Sequence, residues 1–165
     1  MYKDAYEEGK RLVDSQSAEI DSMRQRSVQF VAFVGSATAF LVGTSLQAVS
    51  RTPPFYVLAV SATAFSIIMV ASLVFVLLGL VWIKGFRRAK WNFRSSPRIL
   101  VERWIEPDVG AHAEAEYYHD LAIHYDDKAK ENRPWLAQLR RWYAALIVSG
   151  ATGLLVWVTL FWMFV

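Results

Sequence analysis

Three long apolar runs alternate with polar stretches along this chain. Residues 27–50, 52–83 and 142–165 carry no formal charge, and 32 of the 33 charged side chains fall within 1–26 and 84–141. A charge at the centre of a bilayer costs roughly 2.5–3.5 kcal/mol on insertion scales, so long charge-free runs mark membrane spans. The pattern predicts an all-α integral membrane protein with transmembrane helices over 28–49, 55–83 and 143–165. Each run is long enough for a helix rising about 1.5 Å per residue across a core of about 30 Å. The middle run is longer than that crossing needs, so it must tilt or project its Trp82 end into the interface.

Ser50, Arg51, Thr52, Pro53 and Pro54 join the first two runs. Two prolines suit a tight reversal, so spans one and two form an antiparallel hairpin over 28–83.

The polar stretches read as helices too. Leu12, Val13, Ile20 and Met23 recur at helical spacing, giving 1–27 an amphipathic helix that runs into span one. Ser96 and Pro97 fit a helix start, opening a short helix over 97–105. A second helix covers about 112–131, with Tyr117, Leu121, Tyr125 and Lys128 along one stripe. Asn132 and Pro134 are expected to interrupt it and restart a helix leading into span three. Residues 84–142 thus form a helical cap rather than an independent globular domain.

Charge placement sets direction. Lys3, Lys10, Arg11, Arg24 and Arg26 precede span one, and Lys84, Arg87, Arg88, Lys90 and Arg94 follow span two. Arg51 alone lies in the hairpin connector. The positive-inside rule places the N-terminus and 84–142 in the cytoplasm of a bacterial inner membrane, with the C-terminus outside. Phe55, Tyr56, Trp82, Trp142, Tyr143 and Trp162 are placed as interfacial anchors. The first run follows a polar segment with six acidic residues, which a cleaved signal peptide does not.

Composition narrows the chemistry. Hydrophobic residues make up 55% of the chain, too many for an ordinary soluble domain. There is no cysteine, so disulfides, thiolate nucleophiles and Cys-ligated zinc are excluded. No Gly-rich phosphate loop, HExxH or GxSxG is present, and no acidic residue lies inside a span. His112, Glu116 and His119 share a helix face at metal-ligand spacing, but a solvated face with polar neighbours is the better account of them. We assign no metal, no cofactor and no catalytic residue. Lys84, Arg87, Arg88, Lys90, Trp91 and Arg94 interleave basic and aromatic side chains beside the bilayer. They are candidates for anionic lipid headgroups, at about 1 kcal/mol per basic residue, and proximity to the membrane argues against nucleic acid.

Small residues at spacing four are the other signal. Gly35, Ala39 and Gly43 form such a strip in span one, and Ala145, Ser149 and Gly153 in span three, with a weaker version, Ala62 and Ser66, in span two. Such strips let helix backbones approach closely in lipid. Spans one and three run in the same direction, so their strips can face each other within one chain, or one can serve between chains.

The stretch SAEIDSMRQRSVQFVAFVGSATAFLVG, residues 17–43, puts a polar helix with an Arg close before the bilayer and runs it into a Gly/Ala-rich span. With the hairpin and helical cytoplasmic piece behind it, this arrangement resembles small bacterial membrane effectors of nucleotide-signalled anti-phage systems. Pycsar-type transmembrane effectors and the two-helix SLATT proteins are examples. The resemblance implies that oligomerisation damages the membrane once infection is sensed. It covers mainly 15–83, lacks an Asp-x-Lys-Ala signature at the membrane entry, and carries over no ligand residues. The resulting expectation is a non-enzymatic, homo-oligomerising, membrane-perturbing or pore-forming effector. The alternative is a membrane-anchored scaffold recruiting a cytoplasmic protein partner through helices 97–141.

Overall fold

The computed structural model describes residues 2–45, 53–81, 87–88 and 113–164. Three α-helices dominate: α1 (Tyr2–Ser45), α2 (Pro53–Leu78) and α3 (Ala113–Phe164). All three are long and apolar enough to cross a membrane, and the protein is an all-α membrane protein. β1 (Leu80–Val81) and β2 (Arg87–Arg88) add a two-residue antiparallel ladder pairing Leu80 with Arg88 and Val81 with Arg87.

Helix boundaries follow local chemistry. Pro53 and Pro54 open α2 instead of ending the connector, because first-turn residues need no intrahelical N–H partner. α2 stops at Leu78, short of the expected residue 83, because Gly79 takes φ 60°. That left-handed conformation is the usual helix terminator and carries no steric penalty for glycine. The ends of spans one and two at 46–49 and 82–83, and the helix expected over 97–105, lie outside the described residues.

The expected break at Asn132–Pro134 does not occur. α3 is one helix of 52 residues with Pro134 inside it. An interior proline removes one backbone bond and costs about 3 kcal/mol, so packing must offset it. Asn132 turns inward, fully buried, and bonds across to α1 rather than capping a new helix.

A regularity the sequence reading did not extract governs all three helices. Val13, Gln16, Ile20, Met23, Ser27 and Val34 are the buried residues of α1, at spacings of three, four or seven. Phe55, Ala62, Met69 and Val76 of α2 are seven apart, with Ser72 between the last two. Leu121, Lys128, Asn132, Leu136, Leu139, Leu146, Gly153 and Leu160 continue the same spacing along α3. A 3.5-residue repeat is the seam of coiled-coil packing, where side chains of one helix fill holes in the next. Leu12, expected on the apolar stripe, lies off this seam and is 38% exposed.

The chain divides into two compact units. The first contains Met1–Asp21 and Ala89–Ala137. There Tyr6 meets Tyr118 and Tyr125, each at 5.6 Å between ring centroids, and Gly9 leaves room for Tyr125, whose Cβ would sit 3.1 Å from a glycine-borne Cβ. Burial, reinforced by the neighbouring Tyr6, Tyr118 and Tyr125, pushes the Tyr117 hydroxyl pKa up. The second unit contains Ser22–Arg88 and Gln138–Val165. One of its clusters joins Phe55, Ala62, Trp157 and Leu160, with Leu41, Val42 and Leu58 against them. The other joins Val34, Met69 and Leu146, with Phe30, Val31 and Leu73. Phe55 is thus a core residue rather than an interfacial anchor, whereas Trp162 is 82% exposed.

Candidate functional site

Gly35, Ala39 and Gly43 lie on the outer face of α1. All three are exposed, and a Cβ built on either glycine meets nothing within 4 Å. Phe33 and Phe40, one heptad apart, border this face and are each 68% exposed. Ser36, beside the strip, donates to its own helix at the Ala32 carbonyl, 2.8 Å away. The strip is therefore open and, among the described residues, meets none of this chain's own helices. A helix with small residues here can approach another backbone closely without losing side-chain freedom.

The strip on span three has a different fate. Ser149 and Gly153 are buried and Ala145 is half-buried. A Cβ on Gly153 would stand 3.1 Å from Phe65 Cβ, 3.7 Å from the Ala62 carbonyl oxygen and 3.9 Å from the Ser66 nitrogen. This strip packs α3 onto α2, at the Ala62–Ser66 face. The two strips do not meet: Gly153 faces α2, the α1 strip faces outward, and α3 packs on α1 through a different face of that helix, at Phe30 and Val34. Gly150 belongs to the same contact and was missed, because it lies outside the four-residue spacing. Its Cβ position is 2.6 Å from Phe30 Cε1 and 2.8 Å from Met69 Sδ, the tightest approach among the glycines described.

α2 presents a second outward feature. A shallow open groove runs along it, lined by Tyr56, Ala59, Val60, Thr63, Ala64 and Ile67. Small side chains in the middle and larger ones at the ends give the groove its depth.

Of the candidate headgroup-binding residues, the structure describes Arg87 and Arg88 through their backbone. Pairing with Leu80 and Val81 brings both back to the C-terminal end of α2, two to three residues past its last turn. Lys84, Lys90, Trp91 and Arg94 lie outside the described residues.

Several hydroxyls within the second unit are satisfied locally. Ser27, Thr44, Ser61, Thr63, Ser66, Ser149 and Thr159 each donate to a carbonyl three or four residues back on their own helix. These hydroxyls use their protons on their own helices. In the first unit His119 Nδ1 stands 3.5 Å from Asp120 Oδ1, and both side chains are solvent-exposed. No group of three metal-ligating side chains occurs among the described residues; His112 lies outside them.

Sequence reasoning also missed a polar layer in the first unit's core. Gln16 Nε2 donates to the Ala129 carbonyl at 3.2 Å, and Asn132 Nδ2 donates to Gln16 Oε1 at 3.3 Å. Lys128 is buried one turn away with its ammonium 5.8 Å from the centre of the Tyr125 ring. The signal was present as polar residues recurring on the 3.5-residue seam, but a search for apolar stripes passes over them. Compared with known proteins, the chain matches no family model, no curated protein and no solved structure.

Proposed function

We propose that this chain is a non-enzymatic effector of the bacterial cytoplasmic membrane that assembles with copies of itself and thereby perturbs or opens the bilayer. The observation that supports the reading best is the outward Gly35–Ala39–Gly43 strip, open on one helix while its counterpart on α3 is filled by α2. Copies meeting along this strip would bring α1 backbones together in lipid, where packing rather than hydrophobicity drives association. The proposed orientation puts the N-terminus and 84–142 in the cytoplasm and the C-terminus outside, as the basic residues favour. Arg87 and Arg88, returned to the end of α2, would then lie at the cytoplasmic headgroup level.

The test combines assembly with membrane integrity. Gly35→Leu and Gly43→Leu should leave the monomer folded, abolish higher-order species in crosslinking from native membranes, and abolish loss of membrane potential on triggered expression. If both variants assemble and depolarise like the parent, the strip is not the interface. A stoichiometric soluble partner without any homo-oligomer would favour the scaffold reading through 97–141 instead.

A further inference from the structure

The sequence and the fold disagree at one place, Asn132–Arg133–Pro134. By local chemistry this is a helix stop and restart: asparagine is a strong N-cap, and proline is tolerated in a first turn. In the structure the helix runs through it. The residue that bridges this turn is on another helix. Gln16 uses both ends of its amide there, donating through Nε2 to the Ala129 carbonyl and accepting through Oε1 from Asn132 Nδ2. Those two contacts span the turn immediately before Pro134. Gln16 and Asn132 are 5% and 0% exposed, set among Val13, Ile20, Ala129 and Leu136 in the same seam.

We propose that Gln16 is a releasable clamp across the proline turn of α3. Clamped, α3 is continuous and Asn132 faces the seam. Released, α3 breaks at Asn132, which caps the following segment through the Trp135 N–H, while Pro134 occupies a first-turn position that needs no donor. Each state satisfies the two side-chain amides, which bond each other and the Ala129 carbonyl when clamped, and the Trp135 N–H and water when released. The intermediate, with either amide buried without its mate, does not, and burying an unpaired amide is costly. The two states are therefore discrete. Glutamine and asparagine suit this role where leucine would not: apolar residues at both seam positions would pack permanently, whereas an amide pair exchanges its bonds for water when the helices part. Pro134 supplies the weak point, because the Lys130 carbonyl lacks its helical donor whenever α3 is continuous.

Backbone hydrogen exchange on the full-length protein in lipid nanodiscs tests the clamp. Gln16→Ala should speed exchange at Asn132 and Arg133, the N-cap and first-turn donors left without a carbonyl when α3 breaks, by roughly tenfold or more, with a much smaller change over 117–125. Adding Pro134→Ala should reverse most of that increase. Pro134→Ala alone should slow exchange at the same amides severalfold, and the Gln16→Leu/Asn132→Leu pair should do the same. Uniform acceleration across the first unit in Gln16→Ala would show only general destabilisation and would overturn the proposal. So would unchanged exchange at these amides in Pro134→Ala, a variant that needs no loss of packing to fold.

Discussion

Alanine at Gly150 and alanine at Gly43 are the same chemical change in two helices of the second unit, and they should have opposite consequences. Both exchange glycine for the best helix former, a gain of about 0.8–1.0 kcal/mol at an interior position. At Gly43 the new methyl meets open space. At Gly150 it lands 2.6 Å from Phe30 Cε1, 3.1 Å from Phe30 Cζ and 2.8 Å from Met69 Sδ. Met69 can swing its thioether aside. The Phe30 ring is held against the Val34–Met69–Leu146 cluster and has less freedom. Forcing one carbon into such a site costs about 1–3 kcal/mol. The propensity gain, somewhat smaller at Gly43 in the last described turn of α1, largely cancels between the two variants, so their difference is close to the overpacking cost. For a chain of this size each kcal/mol shifts the melting temperature by about 2–4 °C, placing Gly150→Ala roughly 2–12 °C below Gly43→Ala. Thermal unfolding in detergent micelles, followed by tryptophan fluorescence, reads the order directly. Phe30→Leu should rescue part of the loss in the double variant, because the clash is with the ring edge. If Gly150→Ala melts at or above Gly43→Ala, the close approach of α1, α2 and α3 at this glycine is wrong.

Two further outcomes follow from single residues. Leu146→Ala removes a fully buried side chain of the same cluster and should cost about 2–5 kcal/mol, checked by detergent or denaturant unfolding of the purified protein. Burial holds the His124 imidazole below its ordinary pKa, with the nearby Lys128 ammonium adding to that, and Asp127 and Glu131 opposing it. The folded state therefore resists protonation more than the unfolded chain does. Its stabilising contribution is complete above the ordinary value of about 6.5 and is lost as pH falls from there through the lowered folded value. His124→Gln should flatten this acid-side loss, as measured by melting temperature between about pH 7 and pH 5.

Much of this architecture was legible in the amino-acid order. Charge-free runs located three helices because the bilayer penalty on charge is large and acts residue by residue. What escaped was set by contacts between distant positions. Asn132 and Pro134 carry the local marks of a helix boundary, yet Gln16, over a hundred residues earlier, holds the helix intact there. Gly79 ends α2 inside an unbroken apolar run, since hydropathy records no backbone conformation. The strips were found by spacing, but spacing could not say which one faces outward. That depended on the rotation of α1, which turns Phe30 and Val34 toward Gly150 and Leu146 of α3 and leaves Gly35 and Gly43 outward, while Gly153 meets Phe65 and Ala62 of α2. Gly150 was invisible because its partners, Phe30 and Met69, belong to two other helices.

The seven-residue interval between Phe55, Ala62, Met69 and Val76 carries a constraint on the length of α2. Removing one residue between Ala62 and Met69 would turn everything beyond it by about 100° about the helix axis. Met69 and Val76 would swing out of the seam, and Val70 and Leu77, now exposed, would take their positions with side chains of different length and shape. Removing seven residues would restore the phase and shorten the helix by about 10 Å. α2 can therefore keep its present seam residues in a thinner or thicker bilayer only by changing length in whole heptads. For this helix, insertions and deletions are quantised, and a substitution at almost any outward position is a smaller change than the loss of a single residue.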